Sequence, residues 1–314
     1  KREFTVGIDD DVTHLSLPFG NTAECVPEQE GVQARFYGFG SDGTVGATRQ
    51  AARVISDTLG YHVQAFFEYS AKKSGGYTIS QLRVARQPVR AEYGIEQADY
   101  VACHKDRYVK QYPLARYLRH GGIFVLNSAW GTVSLMERHL PARLRRELAA
   151  KGARLYNVDA AAIAAATGLG ARVNMIMEVA FLHLMRDRFD FDKALAALKQ
   201  EITAAYRHEG NEMVERNMRA IEMAQKAVTA IDYPASWASA ADDEAAPEEG
   251  RPAFVRDVAD VCNRLEGDSL PVSALVPDGK MPMGTTAWEK RRIALSIPRW
   301  DPDKCIECAL CSLV

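Results

Sequence analysis

Between residues 34 and 231 short apolar runs alternate with stretches of helical period, and this alternation constrains the fold more than any other feature. ARFYGFG, HVQAFFEYS, DYVACHK, GIFVLNSAW and RLYNVDA are rich in β-branched and aromatic residues and too short for helices. Set among them, SDGTVGATRQAARVISDTLG, RYVKQYPLARYLRHGG, RHLPARLRRELAAKGA and AAIAAATGLG read as helices, several with a glycine stop. From Arg172 to Ile231 everything reads helical. Buried strands joined by helices give an α/β fold: a mostly parallel, doubly wound, Rossmann-like sheet with a helical C-terminal part.

Composition then shifts. PASWASAADDEAAPEEGRPAF is acidic, rich in Ala and Pro and without an apolar face, so it reads as a linker. Beyond it, LPVSALVPDGKMPMGTTAWEKRRIALSIP has Pro or Gly every few residues, which suits an extended arm packed on another surface. A formal net charge of −2 gives no footing for nucleic acid or a membrane surface, and no run of apolar residues is long enough to span a bilayer. Cys25, Cys103 and Cys262 are scattered singly and read as small buried apolar residues of a reducing compartment, the cytoplasm.

The strongest local signal for chemistry is GFGSDGTVGAT at a strand-to-helix junction. Glycines there let backbone N–H groups approach an anion, and the helix dipole favours negative charge. Gly38, Gly40 and Gly43 match G-x-G-x-x-G, a spacing that a plain tight turn also satisfies. A dinucleotide site would want an acid at the end of the next strand. Glu68 lies late for that role, and Lys72 and Lys73 follow it. A cationic, hydroxyl-rich loop, SAKKSGGYT, suits a phosphorylated ligand, although a lysine pair on a loop is also ordinary solvated surface. Both loops follow strands expected to be neighbours, which would bring them together at the carboxyl edge of the sheet.

Asn174 near a helix start reads as an N-cap, and Asn217 in mid-helix as exposed. The histidines, His104 among them, are isolated in sequence, and no pattern for nucleophilic catalysis occurs. Cys305, Cys308 and Cys311 form a Cys-x2-Cys-x2-Cys run of the kind that holds three corners of an iron–sulfur cluster. The fourth cysteine of the ferredoxin pattern would be the next residue, so this chain is expected to hold an incomplete 4Fe-4S site.

Taken together, DDVTHLSL, GSDGTVGA, KKSGGYTISQLR, ADYVACH, GLGARVNMIM, YPASWA, LPVSALVPDG, GTTAWEKRRIAL and CIECALC resemble, in order, the pyruvate:ferredoxin (flavodoxin) oxidoreductases. The resemblance implies a central slice of such an enzyme. Residues 1–30 would be the tail of a preceding domain, 31–238 the α/β coenzyme A-binding domain and 239–252 a linker. Residues 253–301 would form a small domain or arm, and 302–314 the start of a ferredoxin-like 4Fe-4S domain. Carried over by resemblance, the coenzyme A site comprises Gly40, Ser41, Asp42, Gly43, Thr44, Lys72, Lys73, Asn174 and Asn217. Thiamine diphosphate with magnesium, the complete 4Fe-4S clusters, a homodimer and a ferredoxin or flavodoxin acceptor would belong to the parent enzyme. The slice alone is expected to be inactive.

Three readings follow: a coenzyme A-binding part of that enzyme, a structural or dimer-interface module of it, and an NAD(P)-binding domain, disfavoured by the missing acid.

Overall fold

The structure is a computed structural model that describes residues 3–8, 10–18, 31–40, 42–71, 76–170, 172–243, 250–276, 278–289 and 298–312. Strands β1 (Thr5–Val6) and β2 (Ser16–Leu17) form a small parallel pair apart from the main sheet. The main sheet begins with β3 (Val32–Phe39), followed by α1 (Thr44–Arg53), β4 (His62–Tyr69), β5 (Tyr77–Ala85) and β6 (Ala98–Cys103). It continues with β7 (Leu118–Asn127), α2 (Val133–His139), α3 (Ala142–Ala150), β8 (Arg154–Val158) and α4 (Ala160–Ala166). Helices α5 (Asn174–Leu184), α6 (Phe191–Tyr206) and α7 (Asn211–Ala227) precede the short β9 (Thr229–Ala230).

The strand order is β4-β5-β3-β6-β7-β8-β9. Strands β3, β6, β7 and β8 pair in parallel. Strand β5 is antiparallel to both β3 and β4, so β4 runs with the parallel set, and β9 closes the far edge antiparallel. The expected mostly parallel sheet is present, with one difference: β3 and β4 are not neighbours. Residues 70–76 are too few for a parallel crossover, which needs about a dozen or more, so β4 and β5 fold as a hairpin and β5 inserts between them.

Period-two alternation divides the core between the two faces. Tyr100, Ala102, Ile123 and Val125 point to the face covered by α5, α6 and α7. Val101, Cys103, Phe124 and Leu126 point to the other, where Leu144 and Leu148 of α3 pack. Helices on both faces bury every residue of β6, which accounts for its unbroken apolar run.

Two segments differ from their sequence reading. RYVKQYPLARYLRHGG is not a helix: a 3-10 turn spans Asp106–Lys110, and Leu118 already begins β7. Pro113 lacks the N–H that a helix interior needs. Lys151 takes up the carbonyls left over, its Nζ donating to Ala115, Arg116 and Leu118 at 2.7, 2.8 and 2.6 Å. The expected linker also begins as packed structure. Trp237 is 1% exposed and stacks on Tyr233 at 4.9 Å, and the Tyr233 hydroxyl donates to the Ala153 carbonyl at 2.6 Å. A lone tryptophan in an aperiodic stretch gives no pattern, yet it covers α3. Farther on, Arg143 of α3 pairs with Glu266 at 2.5 Å, tying the arm to the same helix.

Among the described residues no helix is long and apolar enough to cross a membrane. Trp237→Ala is expected to lower stability by about 3–5 kcal/mol, the usual cost of emptying a buried tryptophan site, in urea unfolding monitored by circular dichroism. A true linker residue would leave the midpoint unchanged.

Candidate functional site

The β3–α1 turn is built by Asp42. Its carboxylate accepts the Phe39 N–H at 2.7 Å through Oδ2 and the Thr44 N–H at 2.8 Å through Oδ1. The Asp42 N–H donates back to the Phe39 carbonyl at 2.9 Å. The carboxylate is therefore spent on closing the turn. Gly43 follows at φ +88°, a left-handed position, and a Cβ there would lie 2.6 Å from Asn174 Nδ2. Gly38 is equally constrained, since a Cβ would meet Thr44 Oγ1 at 2.3 Å. The intrahelical ladder of α1 starts with the Ala47 N–H on the Gly43 carbonyl at 3.0 Å. Val45 and Gly46, in the first turn, have no intrahelical acceptor for their N–H groups, the arrangement by which helix N-termini hold anions.

Register brings the hairpin loop to the same edge. Thr78 pairs with Gly38 on one side and with Tyr69 on the other, so the carboxyl ends of β3 and β4 lie level across the start of β5. The Gly40 N–H donates to the Gly76 carbonyl at 2.9 Å, and the Tyr108 hydroxyl donates to that same carbonyl at 3.2 Å. The loop closes on its other side through the Ser70 N–H and the Tyr77 carbonyl at 3.0 Å. Ser41, Lys72 and Lys73 lie outside the described residues. The Arg107 guanidinium sits 4.7 Å over the Phe39 ring, adding a cation beside the turn.

Asn174 is not an N-cap. It opens α5, and its side chain reaches across to the turn, Nδ2 donating to the Asp42 carbonyl while Oδ1 lies 3.3 Å from Thr44 Oγ1. Asn217 is buried rather than exposed, and its Nδ2 donates to the Met213 carbonyl one helical turn earlier, at 2.8 Å. Among the described hydrogen bonds none joins Asn217 to the turn.

His104 and Glu178 carry no motif, and the fold gives both a place. His104 follows β6, whose Cys103 is level with Tyr37, and its N–H donates to the Tyr37 carbonyl at 2.8 Å. Its Nδ1 is 3.0 Å from Thr44 Oγ1, so a histidine isolated in sequence is joined to the turn in space. Burial pushes its imidazole below the ordinary range, opposed by the Asp42 charge and by Asn174. Glu178 is 4% exposed in α5, and desolvation drives its carboxyl well above the usual carboxylate range. The signals were a residue just past a strand end and a single acid in the apolar run NMIMEVAFLHL.

The three C-terminal cysteines are exposed, with Glu307 and Ala309 in left-handed backbone on either side of Cys308. Cys305 Sγ accepts the Glu307 N–H at 3.4 Å, and bonds from Trp300 and Glu307 hold its thiol below the ordinary range. Among the described residues no three metal-ligating side chains converge on a point. Cys103 is buried as expected, its thiol raised to about 12 by desolvation, whereas Cys262 is exposed.

A glycine-rich turn at the carboxyl edge of β3, clamped by α5, is thus the centre of the candidate site, and residues 33–227 around it match the family model described as pyruvate ferredoxin/flavodoxin oxidoreductase. The chain belongs to the pyruvate ferredoxin/flavodoxin oxidoreductase family. Residues 241–294 match a second model, a domain of unknown function. The chain is 44% identical over all its 314 residues to a pyruvate:ferredoxin oxidoreductase of Moorella thermoacetica, of which it covers 27%. It is 41% identical over 99% of its length to a pyruvate-flavodoxin oxidoreductase of Enterobacter agglomerans, covering 26% of it. The chain therefore spans about a quarter of the length of these curated relatives. A solved pyruvate oxidoreductase subunit from Thermotoga maritima shares the fold, with a TM-score of 0.50 at 20% identity over 64% of this chain and 99% of that one.

Two outcomes are expected from this geometry. Gly43→Ala should lower stability by about 1–2 kcal/mol from left-handed strain alone, with the Asn174 clamp displaced in addition, as read by urea unfolding. The buried acid also leaves a signature in pH. Unfolded Glu178 releases its proton near the ordinary value of 4.5 while the folded carboxyl keeps it, so stability falls as pH rises above that value until the folded group ionises. Glu178→Gln should flatten that slope and leave the protein at least as stable at neutral pH. An unchanged slope in thermal melts taken across the range would contradict the burial of this acid.

Proposed function

We propose that this chain is the coenzyme A-binding segment of a pyruvate:ferredoxin or flavodoxin oxidoreductase. In the parent enzyme, pyruvate would be oxidatively decarboxylated on thiamine diphosphate, and the acetyl group would pass to the coenzyme A thiol. The observation that carries the reading is the bond between Gly40 and Gly76, which sets the base of the Lys72–Lys73 loop against the glycine-rich turn. One edge of the sheet thereby combines first-turn N–H donors, a stacked arginine and the stem of a dilysine loop, a donor set suited to phosphate groups. Thr44 and Asn174 stand on the turn side, with Ser41 and Asn217 assigned from the family resemblance.

The relatives add a second support. One is named for ferredoxin and another for flavodoxin, yet they match this segment at 44% and 41% identity. A segment indifferent to the electron acceptor serves a step that both enzymes share, and acyl transfer to coenzyme A is such a step. Holding the thiol beside the acyl donor turns a bimolecular capture into an effectively unimolecular one. The segment itself supplies no catalytic side chain. Its partners are the remaining domains of the parent, a second copy in a homodimer, and the acceptor protein.

Calorimetric titration with coenzyme A tests this directly. Saturable binding is expected, weakened about tenfold or more, roughly 1.4 kcal/mol, both by Lys72→Ala/Lys73→Ala and by replacing the ligand with dephospho-coenzyme A. Absence of saturable heat from the folded chain would overturn the reading and leave the interface role.

A further inference from the structure

Large apolar side chains are exposed very unevenly over the molecule. Among the described residues of the α/β body only Phe66, Tyr69, Tyr93 and Met223 stand exposed. The others lie outside it. Phe4, Val12 and Leu17 are among those of the N-terminal segment, and Val272, Leu275 and Met283 among those of the arm, with Met283 at 99% exposure. Single exposed apolar residues are ordinary, whereas a concentrated set marks a surface made to be covered.

The two segments meet. Asp10 Oδ2 accepts the Ser273 N–H at 3.1 Å, and exposed Val272 adjoins one end of that bond while exposed Val12 stands two residues from the other. Neither segment is self-sufficient. Strands β1 and β2 have two residues each and pair only with one another among the described residues, short of the three strands a sheet needs to stand alone. Asp11 nonetheless fixes the loop between them, its carboxylate accepting the N–H groups of Thr13, Leu15 and Ser16 at 3.0, 2.7 and 2.6 Å. In the arm, Arg251 grips Asp260 through two bonds of 2.6 Å, and Val255 and Val258 are its buried apolar residues among those described. Glu266 takes Arg143 of α3 at 2.5 Å and Arg264 of the arm at 3.0 Å. The arm is thus anchored to the body at Glu266 and to the N-terminal pair at Ser273, with its apolar side chains turned outward beyond.

We propose that the N-terminal pair and the arm form one composite docking face, and that its occupant is a further domain of the same, longer polypeptide. That domain presents an apolar surface and a strand that extends the β1–β2 pair. The length of the relatives favours this occupant: the chain matches two of them over 99% or more of itself yet covers only 27% and 26% of them. A domain tethered to the face reaches it at an effective concentration that a separate molecule does not have. Residues 241–294, matched by a model of unknown function, thereby gain a role as the strap that completes the face. The inference rests on the reading of this chain as a segment of a longer oxidoreductase, and not on coenzyme A.

The test is methionine oxidation by dilute hydrogen peroxide in the full-length parent enzyme, read by peptide mass spectrometry. Met281 and Met283 report on the face, and Met223, exposed on α7 of the body, is the internal reference. On an uncovered face Met283 would react faster than Met223. In the parent, Met281 and Met283 are expected to oxidise about tenfold or more slowly than Met223, because a covered thioether is shielded from the oxidant. Carbene footprinting of the same sample should find Phe4, Val12 and Leu17 protected together with the arm. Met283 reacting faster than Met223 in the parent, or protection of one segment without the other, would overturn the proposal. So would protection lost when the parent is diluted to single polypeptides, which would give the face to a second copy. A parent polypeptide no longer than these 314 residues would strike the segment reading itself, and the inference with it.

Discussion

The site depends on one carboxylate that does no chemistry. Asp42 ties the end of β3 to the start of α1 by accepting one N–H from each, and its own carbonyl takes the Asn174 amide from α5. Two consecutive elements, β3 and α1, meet there a third, α5, from more than a hundred residues farther along the chain. A charge-assisted bond to backbone N–H is worth about 1.5–3 kcal/mol, so two such bonds hold the turn against the entropy of a glycine-rich segment. Because the carboxylate accepts an N–H on each oxygen, its negative charge is partly cancelled where an anion would otherwise be repelled. The residue most conspicuous in SDG is therefore scaffold, and the donors it leaves unspent are the backbone N–H groups beyond it.

Much of this was legible in the sequence where a pattern repeats. β6 and the second half of β7 are apolar runs because both of their faces are buried, and α6 and α7 show their helical period over many residues. What could not be read depended on single residues and on pairing. The hairpin that separates β3 from β4 follows from the shortness of one loop, a geometric fact invisible to periodicity. Pro113 sits inside an otherwise plausible helix, and Trp237 inside an otherwise plausible linker; each overrides its neighbours by one steric or burial effect. In the site, the glycine turn was legible because glycine at positive φ leaves a signature in composition. His104 was not, because its partner Thr44 lies 60 residues away. Asn174 was misread for the same reason: its local context suggested a cap, while its real acceptor is across the fold.

The buried acid completes the physical picture. Placing a neutral carboxyl in an apolar helix without a partner costs about 1–3 kcal/mol, and a leucine at position 178 would avoid that cost while filling similar space. On the turn side the roles are set by bonds the structure shows: the Asn174 amide donates to the Asp42 carbonyl, and Thr44 Oγ1 lies 3.3 Å from Asn174 Oδ1 and 3.0 Å from His104 Nδ1. A turn offering backbone N–H groups to an anion gains from being held before the ligand arrives, since rigidity already in place is not charged against binding. Order at this sheet edge thus comes from side chains gathered from the end of β6, from α1 and from α5, contacts that no local sequence pattern reveals.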